Sequence, residues 1–283
     1  MASGGGAVKR EELKCVASWA CLACCFALAY YPVVSGLVRA WAGSDDYSHG
    51  FAVLPIALYF VWQKRAALAA VDWTGGRGGI YLSIGALLCY VVARRAEMET
   101  AASLSMVLFL WGGVIFLFGD RVFRLCLFPL LLLFFMIPAP SQLIAALTLP
   151  LQLIVTKASV TLASLFGVPI YHEGNVIHLP TGTFEVVQAC SGLRSIMALL
   201  TLGAVVSYMT LRSSALRVIL FALAVPIAIL VNILRVFVLV TVFHYAHVDL
   251  SVGGAHTTLG IAVFVAALGL FVLSGKGLSL CER

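Results

Sequence analysis

Residues 215–245 read ALRVILFALAVPIAILVNILRVFVLVTVFHY. Beyond Arg217 the run is apolar for most of its length, with Asn232 and Arg235 standing out inside it. About 20 apolar residues cross a bilayer as a helix, which satisfies every backbone N–H and C=O where no water is available. An arginine far inside such a run is costly unless it faces a polar cavity or a partner. The stretch therefore predicts a membrane helix with a polar site at the depth of Arg235.

The rest of the chain repeats the pattern. Of its 283 residues, 62% are hydrophobic and 11% charged, and the mean hydropathy is +1.07. Soluble domains carry roughly 25% charged residues, so a water-soluble fold is excluded. The expected fold class is an all-α polytopic membrane protein of about eight transmembrane helices. They are placed near Cys15–Val38, Phe51–Trp62, Gly79–Ala93, Ala101–Phe118, Val122–Ile137, Cys190–Leu211, Ala215–Tyr245 and Thr257–Ser274. Ala27-Leu28-Ala29 resembles a signal-cleavage site, but the length of the first segment and Pro32 favour a retained anchor. No repeat and no long linker divides the chain, so residues 1–283 are read as a single integral membrane domain, with 1–14 a cytoplasmic tail.

Basic residues orient the spans. Lys9, Arg10, Lys14, Lys64, Arg65, Arg77, Arg121, Arg124, Arg212, Arg217, Lys276 and Arg283 fall on one side, the cytoplasm, while Arg94 and Arg95 are the exception. A multi-pass protein of the inner (plasma) membrane follows, with all six histidines towards the outer face. This count requires Gln142–Phe166 not to cross. Its Gln142, Thr148, Pro150, Gln152, Thr156, Lys157 and Ser159 suit an interfacial or re-entrant helix. Gly174–Val187 then reads as a short outer-face β-hairpin around Pro180-Thr181-Gly182.

The net charge of +6 reflects this loop bias, and no basic patch interleaved with aromatic residues suggests nucleic acid. The eight cysteines do not form a disulfide framework; Cys21 and Cys24 have CxxC spacing but lie in an apolar segment. Cys190 differs. It lies in Val186-Val187-Gln188-Ala189-Cys190-Ser191-Gly192-Leu193-Arg194-Ser195, where an extended polar stretch gives way to a span, with Arg194 at i+4. Nearby positive charge or a helix N-terminus favours a thiolate, the nucleophilic form. His256 opens the last span, and Arg235 lies about ten residues below the outer end of its own. Three segments thus bring a thiol, an imidazole and guanidinium groups towards one outer mouth. The bland alternatives are a packing cysteine, a snorkelling or ion-paired arginine and a capping histidine.

His244 and His247, at i,i+3, have a ligand-like spacing, but no cluster of acids completes a metal site. No metal or cofactor is expected. His49, in Tyr47-Ser48-His49-Gly50, and Asn232 are candidate substrate-site residues, while Glu173 and Glu185 read as solvated or structural.

The heptad Ala189–Ser195 resembles the signature of the exosortases and archaeosortases, polytopic cysteine transpeptidases. Four further stretches match family patterns in order: Tyr47–Phe51, Pro138–Pro140, Pro226–Arg235 and His256–Gly260. Together they cover residues 45–265. The resemblance implies Cys190 as nucleophile, with Arg235 and His256 completing the catalytic set and Arg194 supporting the oxyanion or the thiolate. The histidine places the chain nearer the exosortase branch, since archaeosortases carry arginine there. It also implies a substrate: exported proteins bearing a C-terminal sorting signal, made of a Pro-Glu-Pro-type motif, a transmembrane helix and a basic tail. The expected activity is cleavage through a Cys190 thioester, with water or a lipid-linked or polysaccharide acceptor resolving it. Membrane lipid is an expected partner. A transporter or polysaccharide-export component, with a structural Cys190 and a polar pathway around Arg235, is the rival reading. A metal-dependent hydrolase using His244 and His247 is a second.

Overall fold

The computed structural model describes residues 4–44, 46–180, 182–186, 192–248, 250 and 253–282, with the side chains of 4–19 and 253 outside that description. Its helices are α1 (Gly4–Gly43), α2 (Gly50–Gln63), α3 (Arg65–Ala69), α4 (Arg77–Arg95), α5 (Glu99–Phe118), α6 (Asp120–Leu125), α7 (Leu127–Leu132), α8 (Ser141–Leu165), α9 (Leu193–Thr210), α10 (Ser214–Ala246) and α11 (Gly253–Leu280). Strands β1 (Tyr171–Glu173), β2 (Val176–Leu179) and β3 (Gly182–Glu185) lie between α8 and α9. The protein is an all-α polytopic membrane protein with one small sheet.

Among the described residues, six helices are long and apolar enough to cross a membrane: α1 over Ala20–Gly43, α5, α8, α9, α10 and α11 over Gly254–Leu280. The other expected spans are also helical, and α4 is one unbroken helix of 19 residues. α2 is apolar and short. The 122–137 segment is divided into α6, α7 and a 3-10 turn at Leu133–Met136. Pro129 has no N–H to donate, which suits the first turn of a new helix and not the interior of a continuous one.

Two compact units are distinguished. The first comprises the chain up to Gly43 together with Leu54–Pro138. Its closest helix pair is α4 against α5, where glycines let the backbones meet. A Cβ on Gly79 would run into the backbone of Gly112 and Phe116, and one on Gly112 into Ser83. Small residues at a crossing are how membrane helices gain packing contact when lipid supplies no hydrophobic drive. The Trp41 indole donates to the Met136 carbonyl at 2.8 Å and the Lys64 ammonium to the Leu125 carbonyl at 2.6 Å, satisfying groups at helix ends.

The second unit comprises Ser44–Val53 and Ala139–Arg283. Here α9, α10 and α11 form an antiparallel bundle around Leu199, Leu220, Ala224, Ala228 and Phe271. The Glu282 carboxylate accepts the backbone N–H groups of Arg212 and Ser213, 2.6–3.0 Å away, at the start of α10. These bonds hold its pKa below the usual carboxylate range and place an anion at the positive end of a helix. A second core joins α8, the sheet and the distal half of α10 through Val155, Ala163, Ile177, Val236 and Val240. The sheet is an antiparallel meander, with Glu173 opposite Val176 and Leu179 opposite Gly182. It therefore contains the expected hairpin and one strand more, β1, folded back through a two-residue Gly174-Asn175 turn with Gly174 at φ +62°. Thr181 and Val187 lie outside the described residues.

α8 runs alongside α10 in the same direction. The Ser159 hydroxyl donates to the Ile233 carbonyl at 3.0 Å, Phe166 packs on Phe237 with ring centroids 5.3 Å apart, and the Tyr245 hydroxyl donates to the Phe166 carbonyl at 3.1 Å. At its other end, Ser141 shares a cavity with Leu193 and Arg194 at the start of α9. α8 is one continuous helix of 25 residues, long and apolar enough to cross a membrane, where an interfacial or re-entrant helix was expected.

Candidate functional site

α10 changes surroundings along its length. Residues from Leu220 to Val231 belong to the bundle core, and those from Val236 to Val240 belong to the core beneath the sheet. Asn232 and Arg235 occupy the junction, 2% and 8% exposed. An apolar helix tolerates these polar groups because neither side chain faces lipid.

Arg235 Nη2 lies 2.8 Å from His256 Nε2. A guanidinium donates and cannot accept, so this contact requires a lone pair on Nε2 and hence a neutral ring with its proton on Nδ1. Arg235 Nε is buried and has no hydrogen-bond partner among the described residues. A buried donor without an acceptor is a destabilised group, and also a preformed site for an incoming oxygen. Gly260, one turn beyond His256, lies alongside the guanidinium; a Cβ there would stand 3.5 Å from Nη2.

Asn232 packs beneath the start of α9. Its Cγ and Nδ2 would stand 3.0 Å from a Cβ placed on Gly192, which sits at φ +83°. Gly192 is the N-cap of α9 in left-handed conformation. Asn232 and Gly192 thus fix the backbone at the start of α9, two residues after Cys190 in sequence. Cys190 itself, with Val187, Gln188, Ala189 and Ser191, lies outside the described residues. Gly192→Ala is expected to destabilise the protein by about 1–2 kcal/mol through the left-handed backbone alone, with the contact to Asn232 added. A thermal unfolding midpoint in detergent checks this, and an unchanged midpoint would contradict the packing.

Arg194, at the start of α9, is half-exposed. Its Nε donates to Asp46 Oδ1 at 2.9 Å, tying α9 to the turn before α2. A partly exposed pair of this kind contributes about 0–1 kcal/mol, so its effect is to position rather than to stabilise. Tyr47 lies beside it; burial pushes its phenol pKa up, and a hydrogen bond with the Ala139 backbone works against that shift. Asp46, Tyr47, Leu193 and Arg194, with Ala139 and one face of α8, line an open cavity of about 600 Å³. The α8 face presents Ser141, Ile144, Ala145, Thr148, Leu149 and Gln152, the i, i+3, i+4 spacing of a single helical stripe.

The sequence candidates therefore divide. Arg235 and His256 are in contact, and Asn232 is one turn away on α10 under Gly192. Arg194 is held by Asp46, and His49 sits half-buried in the turn before α2, where Asp46 and Tyr47 line the cavity instead. His247 leaves α10 in left-handed conformation, φ +55°, so it does not continue the helical face of His244. Among the described residues, no group of three or more His, Cys, Asp or Glu is placed to hold a metal. Asp46 and Gln152 were not singled out from the sequence. The signals that mark them are the polar stripe of α8 and the position of the 45–50 loop.

A family model described as transmembrane exosortase matches residues 41–273, most of the chain. No curated protein and no solved structure matches it.

Proposed function

Because the chain belongs to the transmembrane exosortase family, we propose that it is a membrane cysteine peptidase or transpeptidase acting on exported proteins with a C-terminal sorting tail. The observation that carries this reading is the Arg235–His256 contact at the junction of the two cores, one turn from the Asn232 that supports the entry to α9. Catalysis opens that contact. His256 Nε2 then takes the Cys190 thiol proton while Arg235 Nη2 turns, with the unpartnered Nε, towards the scissile carbonyl oxygen. Sulfur bonds to the carbonyl carbon, the C–N bond breaks, and His256 returns the proton to the departing amine. An acceptor O–H or N–H, or water, attacks the thioester and restores the thiol. The active site faces the outer side of the inner membrane on this reading, since the basic residues place the α9–α10 connection in the cytoplasm.

The test is to trap the intermediate. The enzyme is produced with an exported protein carrying a Pro-Glu-Pro-type tail, and digested membranes are analysed by mass for a substrate fragment on Cys190. A hydroxylamine-labile adduct is the expected result. Removal of the tail with no such adduct at any stage of the turnover would overturn the thioester route.

A further inference from the structure

Gln152 is 8% exposed, faces the cavity between α8 and the start of α9, and makes no hydrogen bond among the described residues. Its amide is not among the buried polar atoms left without a partner, so its donors and acceptor open onto the cavity. A methionine of similar length would fill the same space with neither donor nor acceptor. The amide group is therefore presented to whatever the cavity receives.

The chemistry of the cavity narrows that occupant. Its volume of about 600 Å³ is within the roughly 300–1,000 Å³ of ligand pockets. Its two charged lining residues, Asp46 and Arg194, neutralise one another at 2.9 Å, which leaves no surplus positive charge for a phosphate-bearing lipid headgroup. Ile144, Leu149, Leu193 and Met197 give it apolar walls. An uncharged, mostly apolar cleft with one buried group that both donates and accepts matches the N–H and C=O of an extended peptide. The cavity also borders Leu193, three residues beyond Cys190. We propose that it holds the extended segment of the protein substrate next to the scissile bond, and that Gln152 binds a backbone peptide group of that segment.

This assignment rests on the peptidase reading above, and the experiment separates the two. Full-length wild type and Gln152→Met are reconstituted in proteoliposomes, with an exported protein carrying a Pro-Glu-Pro-type tail titrated in. Gln152→Met is expected to raise the apparent KM roughly tenfold, the loss of one well-made hydrogen bond. Its kcat should stay within about twofold and its unfolding midpoint should be unchanged. A merely structural glutamine does not give weaker binding together with equal stability. A photo-crosslinking residue at Met197, in a Cys190→Ala background, is expected to attach to the tail segment beside the cut. An unchanged KM in Gln152→Met, or crosslinks to lipid alone, overturns the cavity assignment while leaving the peptidase reading in place. If wild type leaves the tail uncut, both fall together.

Discussion

Cys190→Ala is expected to leave the exported precursor uncut, with its C-terminal tail retained in the membrane. The expected residual rate is below about one part in 10³ of wild type, because removing a covalent nucleophile eliminates the route itself rather than slowing one step. Cys190→Ser should be nearly as inactive, since a hydroxyl in a site arranged for a thiolate remains protonated. Two controls make the result interpretable: equal amounts of enzyme in the membrane, and the same unfolding midpoint. Pulse-labelled precursor followed by gel mobility gives the readout. Normal processing by Cys190→Ala would return the transporter reading, with its polar pathway around Arg235, to the front.

Arg235→Lys is expected to lose roughly 10²–10³-fold in kcat, the usual effect of removing an oxyanion donor, although the positive charge is kept. The reason is geometric. Arg235 contacts His256 through Nη2 and presents Nε as a second, unpartnered donor. The guanidinium holds both in one rigid plane, whereas a lysine ammonium is a single point on a flexible stem. Lysine can keep the buried charge near His256, so folding should survive where catalysis does not. Single-turnover processing at saturating substrate distinguishes the two, and near-normal kcat in a well-folded Arg235→Lys would remove Arg235 from the oxyanion role.

How much of this was legible in the sequence depended on how conspicuous each residue is against its neighbours. Arg235 stands in an apolar run, so its need for a partner could be read directly, and its contact with His256 agrees with two spans opening towards one mouth. The helical segments were visible for the same reason. Asp46 was not legible, because an aspartate in a polar loop looks ordinary and its partner Arg194 is 148 positions away. Gln152 appeared as one of several polar residues that made α8 unlike a lipid-facing span. Which face it occupied emerged from the packing. Asn232 was a substrate-site candidate, and the structure places it against Gly192, where it supports backbone. β1 escaped notice because a strand of three residues is defined by its pairing with β2 rather than by any pattern of its own.

The unequal lengths of α9 and α10 carry a consequence for how substrate is found. α9 is 18 residues, about 27 Å at 1.5 Å per residue, close to the roughly 30 Å hydrocarbon thickness of a bilayer. α10, at 33 residues, continues well past the level of Gly192 and Asn232, carrying the sheet with it. On the reading proposed here, the chemistry sits where hydrocarbon ends, and the sheet roofs it. Such a site gauges depth: a bond one helical turn further from the lipid, about 5.4 Å, is out of register with it. Both reactants are then confined to a plane, and their encounter rate follows the number of molecules per unit of membrane area rather than any bulk concentration.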